Sequence, residues 1–311
     1  MEEVILSIFV PTFNHEKYIS QALDSILMQK TEYKFEVLVG EDCSKDGTRE
    51  ILQQYEEKYP NIFKMFYRDT NMYNQNPTNA GDLKLRCKGK YMICLEGDDY
   101  WTDEYKIDKQ IRFLEEHPEY YGVAHNCVVV DQESKPNGEK YPECKDNEYT
   151  FKHFVSEIMP GQLATFMHRN CYMDTDFNSE LFFKGLVPGD RLLYYAIATH
   201  GKIYCIQEEM SAYRHVKKEG TSFSATYEYN FNKSKVWHEE LLKYIENTDN
   251  KQAKKYVRLL YFKCLMQGFK AGKYSLKQVI KSTKDIGRVK TITLYMKYMI
   301  RKNILHKKIW V

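Results

Sequence analysis

The chain has 311 residues, 43% hydrophobic and 29% charged, with 46 Lys and Arg against 43 Asp and Glu and a formal net charge of +3. This is the composition of a soluble globular protein large enough for one big domain or two smaller ones, and so small a charge gives no whole-molecule reason to bind nucleic acid. Eight cysteines without a C-x-x-C pair argue against a zinc site. Those in apolar runs, such as Cys94 and Cys127, read as reduced core residues of a reducing compartment. The acidic start, Met1-Glu2-Glu3, is not that of a signal peptide, and no stretch approaches the roughly 18–20 apolar residues that span a bilayer. The expected location is cytoplasmic, or peripheral on the inner face of the cell membrane.

In chain order, Val4 to Val10 is a β-rich run that predicts a buried strand, broken by Pro11-Thr12-Phe13-Asn14. Helical spacing follows over Glu16 to Gln29. Phe35 to Gly40 predicts a second strand, Glu41 to Thr48 a polar turn, Thr48 to Tyr59 a helix and Ile62 to Tyr67 a third strand. A loop rich in Asn and Thr leads to a short helix over Gly81 to Cys87. Next comes the apolar run Met92-Ile93-Cys94-Leu95, which stops at Glu96-Gly97-Asp98-Asp99. Alternating strands and helices predict right-handed crossovers and a parallel sheet, so three strands end in polar loops on one edge. Ligands bind at that edge in open α/β sheets.

Further on, the pattern predicts an amphipathic helix over Lys106 to His117, a strand over Tyr121 to Asp131 and a polar loop to Asn147. A short helix over Phe151 to Met159 and a strand over Leu163 to His168 come next. Then follow a helix over Arg191 to Thr199, short strands at Ile203 to Ile206 and Met210 to Tyr213, and a basic loop from His215 to Ser222. From about Thr226 the periodicity is helical throughout. The expected domains are therefore 1–222 and a helical appendage, 223–311. Its last residues, 287–311, hold seven Lys or Arg, no acid, and many aromatic and aliphatic side chains. That mixture suits either an anionic membrane surface or a solvated basic face on a packed helix.

Three carboxylates within four positions repel one another unless a cation or strong donors neutralise them, and hard oxygen ligands suit Mg²⁺ or Mn²⁺. The plainer alternative is an acidic turn in which Asp99 or Asp103 caps the next helix. The chain has neither a G-x-G-x-x-G nor a P-loop, so a nucleotide would need another anchoring mode.

Several motifs in register resemble the family 2 glycosyltransferases of the GT-A fold. They are Ser7-Ile8-Phe9-Val10-Pro11-Thr12-Phe13-Asn14, Glu41-Asp42-Cys43-Ser44-Lys45-Asp46-Gly47-Thr48, Gly89-Lys90-Tyr91, Leu95-Glu96-Gly97-Asp98-Asp99-Tyr100-Trp101, Gly189-Asp190 before a helix, and Tyr213-Arg214. The resemblance covers roughly residues 4–222 and implies a Rossmann-like, mostly parallel α/β sheet with flanking helices. It implies metal-dependent, inverting transfer of a sugar from a nucleotide diphosphate donor, UDP by default, to a glycan or lipid-linked acceptor of the bacterial surface.

By that resemblance, Asp98 binds Mn²⁺ or Mg²⁺ within the family's D-x-D; Glu96, which departs from the usual Asp, binds the nucleotide sugar, reaching either the metal through water or a donor ribose hydroxyl, and Gly97 permits close approach. Asp42 accepts from a pyrimidine N–H, and Pro11, Thr12, Asn14 and Glu16 line the nucleoside pocket. Lys84 either touches the nucleotide or is a solvated helix lysine. Asp190 is the catalytic base or merely a helix cap. Thr165 and Arg169 line the acceptor side, and Asp99 either joins them or caps a helix. His215 is a further candidate metal ligand, one position earlier than the family pattern, and Lys217 and Lys218 are candidates to neutralise the diphosphate. The alternatives are a non-catalytic nucleotide-sugar-binding module of the same fold, and nucleotidyl transfer to a sugar phosphate. Against the latter, Pro11-Thr12-Phe13-Asn14 is not a glycine-rich phosphate loop.

Overall fold

The computed structural model describes residues 3–73, 75–173, 181, 186, 188–215, 229–284 and 286–303, with the backbone alone at 288, 298 and 301–303. They fall into two compact units. The first lies within Met1–Tyr149, Met159–Gly185 and His200–Tyr227, the second within Thr150–Ile158, Leu186–Thr199 and Glu228–Val311.

The first unit is built on a nine-stranded sheet. Its first half is wholly parallel, in the order β3 (Phe63–Tyr67), β2 (Phe35–Glu41), β1 (Leu6–Thr12), β4 (Tyr91–Cys94). β1, β2 and β4 are buried almost throughout, because both faces are covered. With a side-chain period of two, Leu6, Ile8 and Val10 join Val37, Val39, Tyr91 and Ile93 in one core. That core takes in Ile19, Leu23 and Ile26 of α1 (Ile19–Leu27), Leu52 of α2 (Thr48–Lys58) and Ile107, Ile111 and Leu114 of α4 (Lys106–Glu116). The alternate residues Phe9, Leu38, Met92 and Cys94 meet Leu83 and Cys87, at α3 (Asn79–Arg86) and its C-cap, in a second core. Each fully buried Leu or Ile contributes roughly 1.5–3 kcal/mol.

The second half of the sheet reverses direction. Short β8 (Met167–Arg169) runs antiparallel to both β4 and β6 (Tyr120–Val130). Strand β9 (Lys202–Arg214) is parallel to β6, and β5 (Tyr100–Trp101) and β7 (Glu148–Tyr149) pair with β9 antiparallel. The two short strands expected at 203–206 and 210–213 are thus one strand, and register shifts opposite His125–Cys127 interrupt its pattern. The strand expected from Leu163 begins only at Met167. Gln162 accepts from the Ala164 N–H and the Thr165 hydroxyl donates to the Gln162 carbonyl, closing a 3-10 turn there instead.

In the second unit, α5 (Phe151–Val155) and α6 (Gly189–His200, to Thr199 in this unit) join α7 (Phe231–Glu246), α8 (Lys251–Lys270), α9 (Leu276–Ser282) and α10 (Arg288–Asn303). Asn230 and Asn250 cap α7 and α8, and Ser275 and Gln278 form a capping box on α9. Gly268 is required because a Cβ there would meet the Phe231 ring at 2.2 Å. A boundary near 222 drawn from periodicity lies close to the last junction, but the earlier segments at 150–158 and 186–199 give no periodic signal of belonging with the C-terminal helices.

Lys106 is fully buried on α4, its Nζ 4.1 Å from the Trp101 ring centroid and donating to Gln110 Oε1. Burial pulls its pKa well below the ordinary lysine value, and nearby Asp103 opposes this only in part. The folded chain then binds fewer protons here than the unfolded one. Lys106 therefore costs stability at neutral pH, a cost that fades as pH rises through the ordinary lysine range. We expect Lys106→Met to raise the thermal midpoint at about pH 7, with a gain that shrinks towards about pH 10, followed by calorimetry.

Candidate active site

Register places three strand-end loops side by side. The Asp42 N–H donates to the Thr12 carbonyl at 3.0 Å and the Gly97 N–H to the Pro11 carbonyl at 3.2 Å. The loops after β2 and β4 therefore flank the end of β1, at the carboxyl edge where ligands bind in such sheets. Gly97 is fixed by crowding. A Cβ there would lie 2.6 Å from Thr12 Oγ1 and 2.7 Å from His15 Nδ1. Thr12 Oγ1 and His15 Nδ1 are 3.1 Å apart, and His15 Nε2 lies 3.9 Å from Asp98 Oδ2. Sequence reasoning missed His15. The signal was its place in a strand-end loop between two named candidates, Asn14 and Glu16.

The first two loops are stitched together by side chains. Asn14 sits at φ 56°, a left-handed conformation that Asn tolerates. Its N–H donates to Ser44 Oγ and its Oδ1 accepts from the Lys45 N–H. The His15 N–H reaches Thr48 Oγ1 and the Glu16 N–H reaches Asp46 Oδ2. Glu16 Oε2 in turn accepts from the Gly47 N–H, at the N-terminus of α2, where a carboxylate is favoured. Asn14 and Glu16 thus brace the two loops against each other.

The third loop is tied down from far along the chain. Arg214, at the end of β9, is buried, and each of its five side-chain N–H donors has an acceptor. Nε donates to the Asp98 carbonyl, Nη1 to the carbonyls of Asp131 and Gln132, and Nη2 to Gln21 Oε1 and Ser134 Oγ. Tyr18 packs over the guanidinium at 4.3 Å. The Arg214 N–H donates to Asp99 Oδ1, and Gln162 Nε2 donates to Asp99 Oδ2. Burial first, then the Asp98 and Glu96 carboxylates, push the Asp99 carboxyl well above its ordinary range.

Asp99 is therefore a buried anchor. It caps no helix, since α4 begins at Lys106 with Tyr105 as its N-cap, and Asp103 accepts from the Tyr105 N–H instead. Asp98 is the carboxylate that keeps solvent access, with 22% of its side chain exposed, and Glu96 is half-buried beside it. Hard oxygen donors at a loop crowded with like charge fit a divalent cation of the Mg²⁺ or Mn²⁺ type. Asp42 is nearly buried, accepting from the Met72 N–H. Burial raises its carboxyl above the usual value, against that hydrogen bond and the Arg68 charge. His215 Nδ1 is engaged with Glu139 at 2.6 Å. The Lys84 ammonium lies 5.7 Å from the ring of Phe9, three residues short of the end of β1.

Two expectations are corrected. Arg169 pairs with Tyr91, at the start of β4, because β8 runs antiparallel. Its guanidinium is spent on the Tyr120 and Leu114 carbonyls, at the edge of the sheet opposite the loops. Thr165 is fully buried with its hydroxyl closing the turn at Gln162, so it lines no acceptor surface. Asp190 stands in the second unit, in the first turn of α6, where its Oδ1 accepts from the Arg191 N–H. Trp237 Nε1 holds the approach to that turn through the Pro188 carbonyl. Lys217 and Lys218 lie outside the described residues.

A parallel sheet with carboxylates at its carboxyl edge, continued by a mixed half, is the architecture of a GT-A nucleotide-sugar fold. The chain matches the Glycosyl transferase family 2 model over residues 7–181 and belongs to that family. An uncharacterized protein of Mycobacterium tuberculosis is 30% identical over 210 residues, 67% of this chain and 58% of that protein. The chain thus spans 58% of the length of the first curated relatives it matches. The poly(ribitol-phosphate) beta-N-acetylglucosaminyltransferase TarS of Staphylococcus aureus is 32% identical over 141 residues, 44% of this chain and 22% of TarS. Among solved structures, TarS 1–349 in complex with UDP-GlcNAc superposes with a TM-score of 0.69 at 19% identity, covering 98% of this chain and 87% of that one. The mannosyltransferase PcManGT of Pyrobaculum calidifontis, in complex with GDP-Man and Mn²⁺, gives 0.52 at 16% identity, covering 99% and 89%. These structural likenesses establish the fold.

Two substitutions separate the edges of the sheet. Lysine cannot reproduce the five-donor fork, so Arg214→Lys should lose about 3 kcal/mol in chemical denaturation and weaken nucleotide-sugar binding in calorimetry. Arg169→Ala should also destabilise, yet leave nucleotide-sugar affinity unchanged.

Proposed function

We propose that the protein transfers a sugar, with inversion, from a nucleotide diphosphate sugar to a hydroxyl of a glycan or lipid-linked acceptor at the inner face of a cell membrane. UDP is the donor nucleotide we favour. The observation that carries this reading is the flanking of Thr12 by Asp42 on one side and the Gly97-Asp98 loop on the other, at the carboxyl edge of a parallel sheet. Family membership supports it, as does the likeness to TarS, whose solved complex holds UDP-GlcNAc.

In this reading Asp42 Oδ1 stays on the Met72 N–H, leaving Oδ2 to accept from the pyrimidine N–H. Asp98, with Glu96 beside it, would hold Mn²⁺ or Mg²⁺, which when bound would supply positive charge opposite the diphosphate leaving group. His15, spaced from Asp98 by 3.9 Å and in contact with Thr12, orients that carboxylate. Asp190 takes the proton from the acceptor hydroxyl as the sugar is attacked from the opposite face.

Release of nucleoside diphosphate from a panel of nucleotide sugars tests the reading. UDP-sugars with Mn²⁺ should turn over and a chelator should abolish turnover, while the anomeric coupling of the product reports inversion. Asp190→Asn should lower turnover by about 10²–10⁴-fold and leave donor affinity unchanged. Undiminished turnover in that variant removes Asp190 as the base. Donor binding without turnover, across many acceptors, would favour a non-catalytic nucleotide-sugar-binding module.

A further inference from the structure

The small net charge of the chain conceals a strong polarity. Residues 1–250 hold 29 Lys and Arg against 42 Asp and Glu, whereas residues 251–311 hold 17 against one, Asp285. The basic segment also leaves apolar side chains in solvent. On α10, Val289 is 78% and Met296 54% exposed, with Ile292 and Ile300 exposed on the same side. Their spacing of three, four and four residues draws one stripe along the helix. The other side packs inward, where Thr291 is buried and the Tyr295 ring meets Phe262 edge-on at 5.0 Å. Lys290 and Lys297, both exposed, accompany the stripe.

We propose that this face of α10 docks on an anionic phospholipid surface. An apolar stripe beside lysines is what an interfacial helix presents, with the stripe entering the acyl boundary and the ammonium groups meeting lipid phosphates. A second copy meeting the same face would set like charges together. A nucleic acid would use the lysines and leave the stripe in water. The surface rests on no part of the sugar-transfer reading. No helix among the described residues is long and apolar enough to cross a membrane, so the contact is lateral.

Co-sedimentation of the full chain with vesicles tests this. Phosphatidylcholine vesicles containing phosphatidylglycerol should pull the protein down, phosphatidylcholine alone should not, and about 0.5 M NaCl should release it. Ile292→Ser with Met296→Ser, and separately Lys290→Glu with Lys297→Glu, should each lower the partition coefficient by about tenfold or more. Circular dichroism and UDP affinity should stay at wild-type values in both, so a loss of lipid binding is distinguishable from a failure of the donor site. Partitioning unchanged in both pairs overturns the proposal. So does pelleting without vesicles, which marks self-association. So does displacement from vesicles by a duplex oligonucleotide whose binding ignores the serine pair.

Discussion

Arg214 is the constraint on which the site depends. One buried guanidinium holds the Asp98 carbonyl, the 131–134 turn and Gln21, while its backbone N–H holds Asp99. Segments from α1, from the loop after β4 and from the turn after β6 thus meet at one planar group with five fixed donors. A guanidinium does this where an ammonium cannot, because its fork is rigid and stays protonated. Placing Arg214 so far along the chain also makes the carboxylate loop conditional on β9 having docked. A partly folded chain that has built only its first four strands lacks the clamp.

The division of labour among the acidic residues follows from where that clamp pulls. Asp99 is drawn inward and its two oxygens are occupied by Gln162 and Arg214. Asp98, one residue earlier, is left at the rim with its main chain pinned and its side chain partly solvated. Adjacent carboxylates thereby acquire different surroundings, since burial disfavours charge at Asp99 while Asp98 stays partly exposed.

The parallel half of the fold was legible because its strands are mostly apolar runs that give way to polar loops, as Leu95 to Glu96 does. Direction was less legible. Nothing around Leu163 to Arg169 announces that β8 runs antiparallel, and that reversal carries Arg169 to the wrong edge for an acceptor role. Bulges broke the pattern of β9 into two apparent strands. The partners of Asp99 lie 63 and 115 residues away, and no local pattern encodes contacts of that range. His15 was readable in principle, but a histidine in a polar loop looks ordinary until its distance to Asp98 is known.

The stitching of the first two loops carries one more consequence. Asn14, Glu16, Ser44, Asp46 and Thr48 exchange side-chain and backbone bonds across some thirty residues. The two loops therefore behave as a single rigid wall, ordered when the sheet forms. A ligand arriving at that wall meets a surface whose conformational entropy has already been lost, so little of its binding energy is consumed in organising the protein. The same coupling restricts change. A substitution at position 14 or 16 disturbs the opposite loop as much as its own, so variation along this wall must come in matched sets.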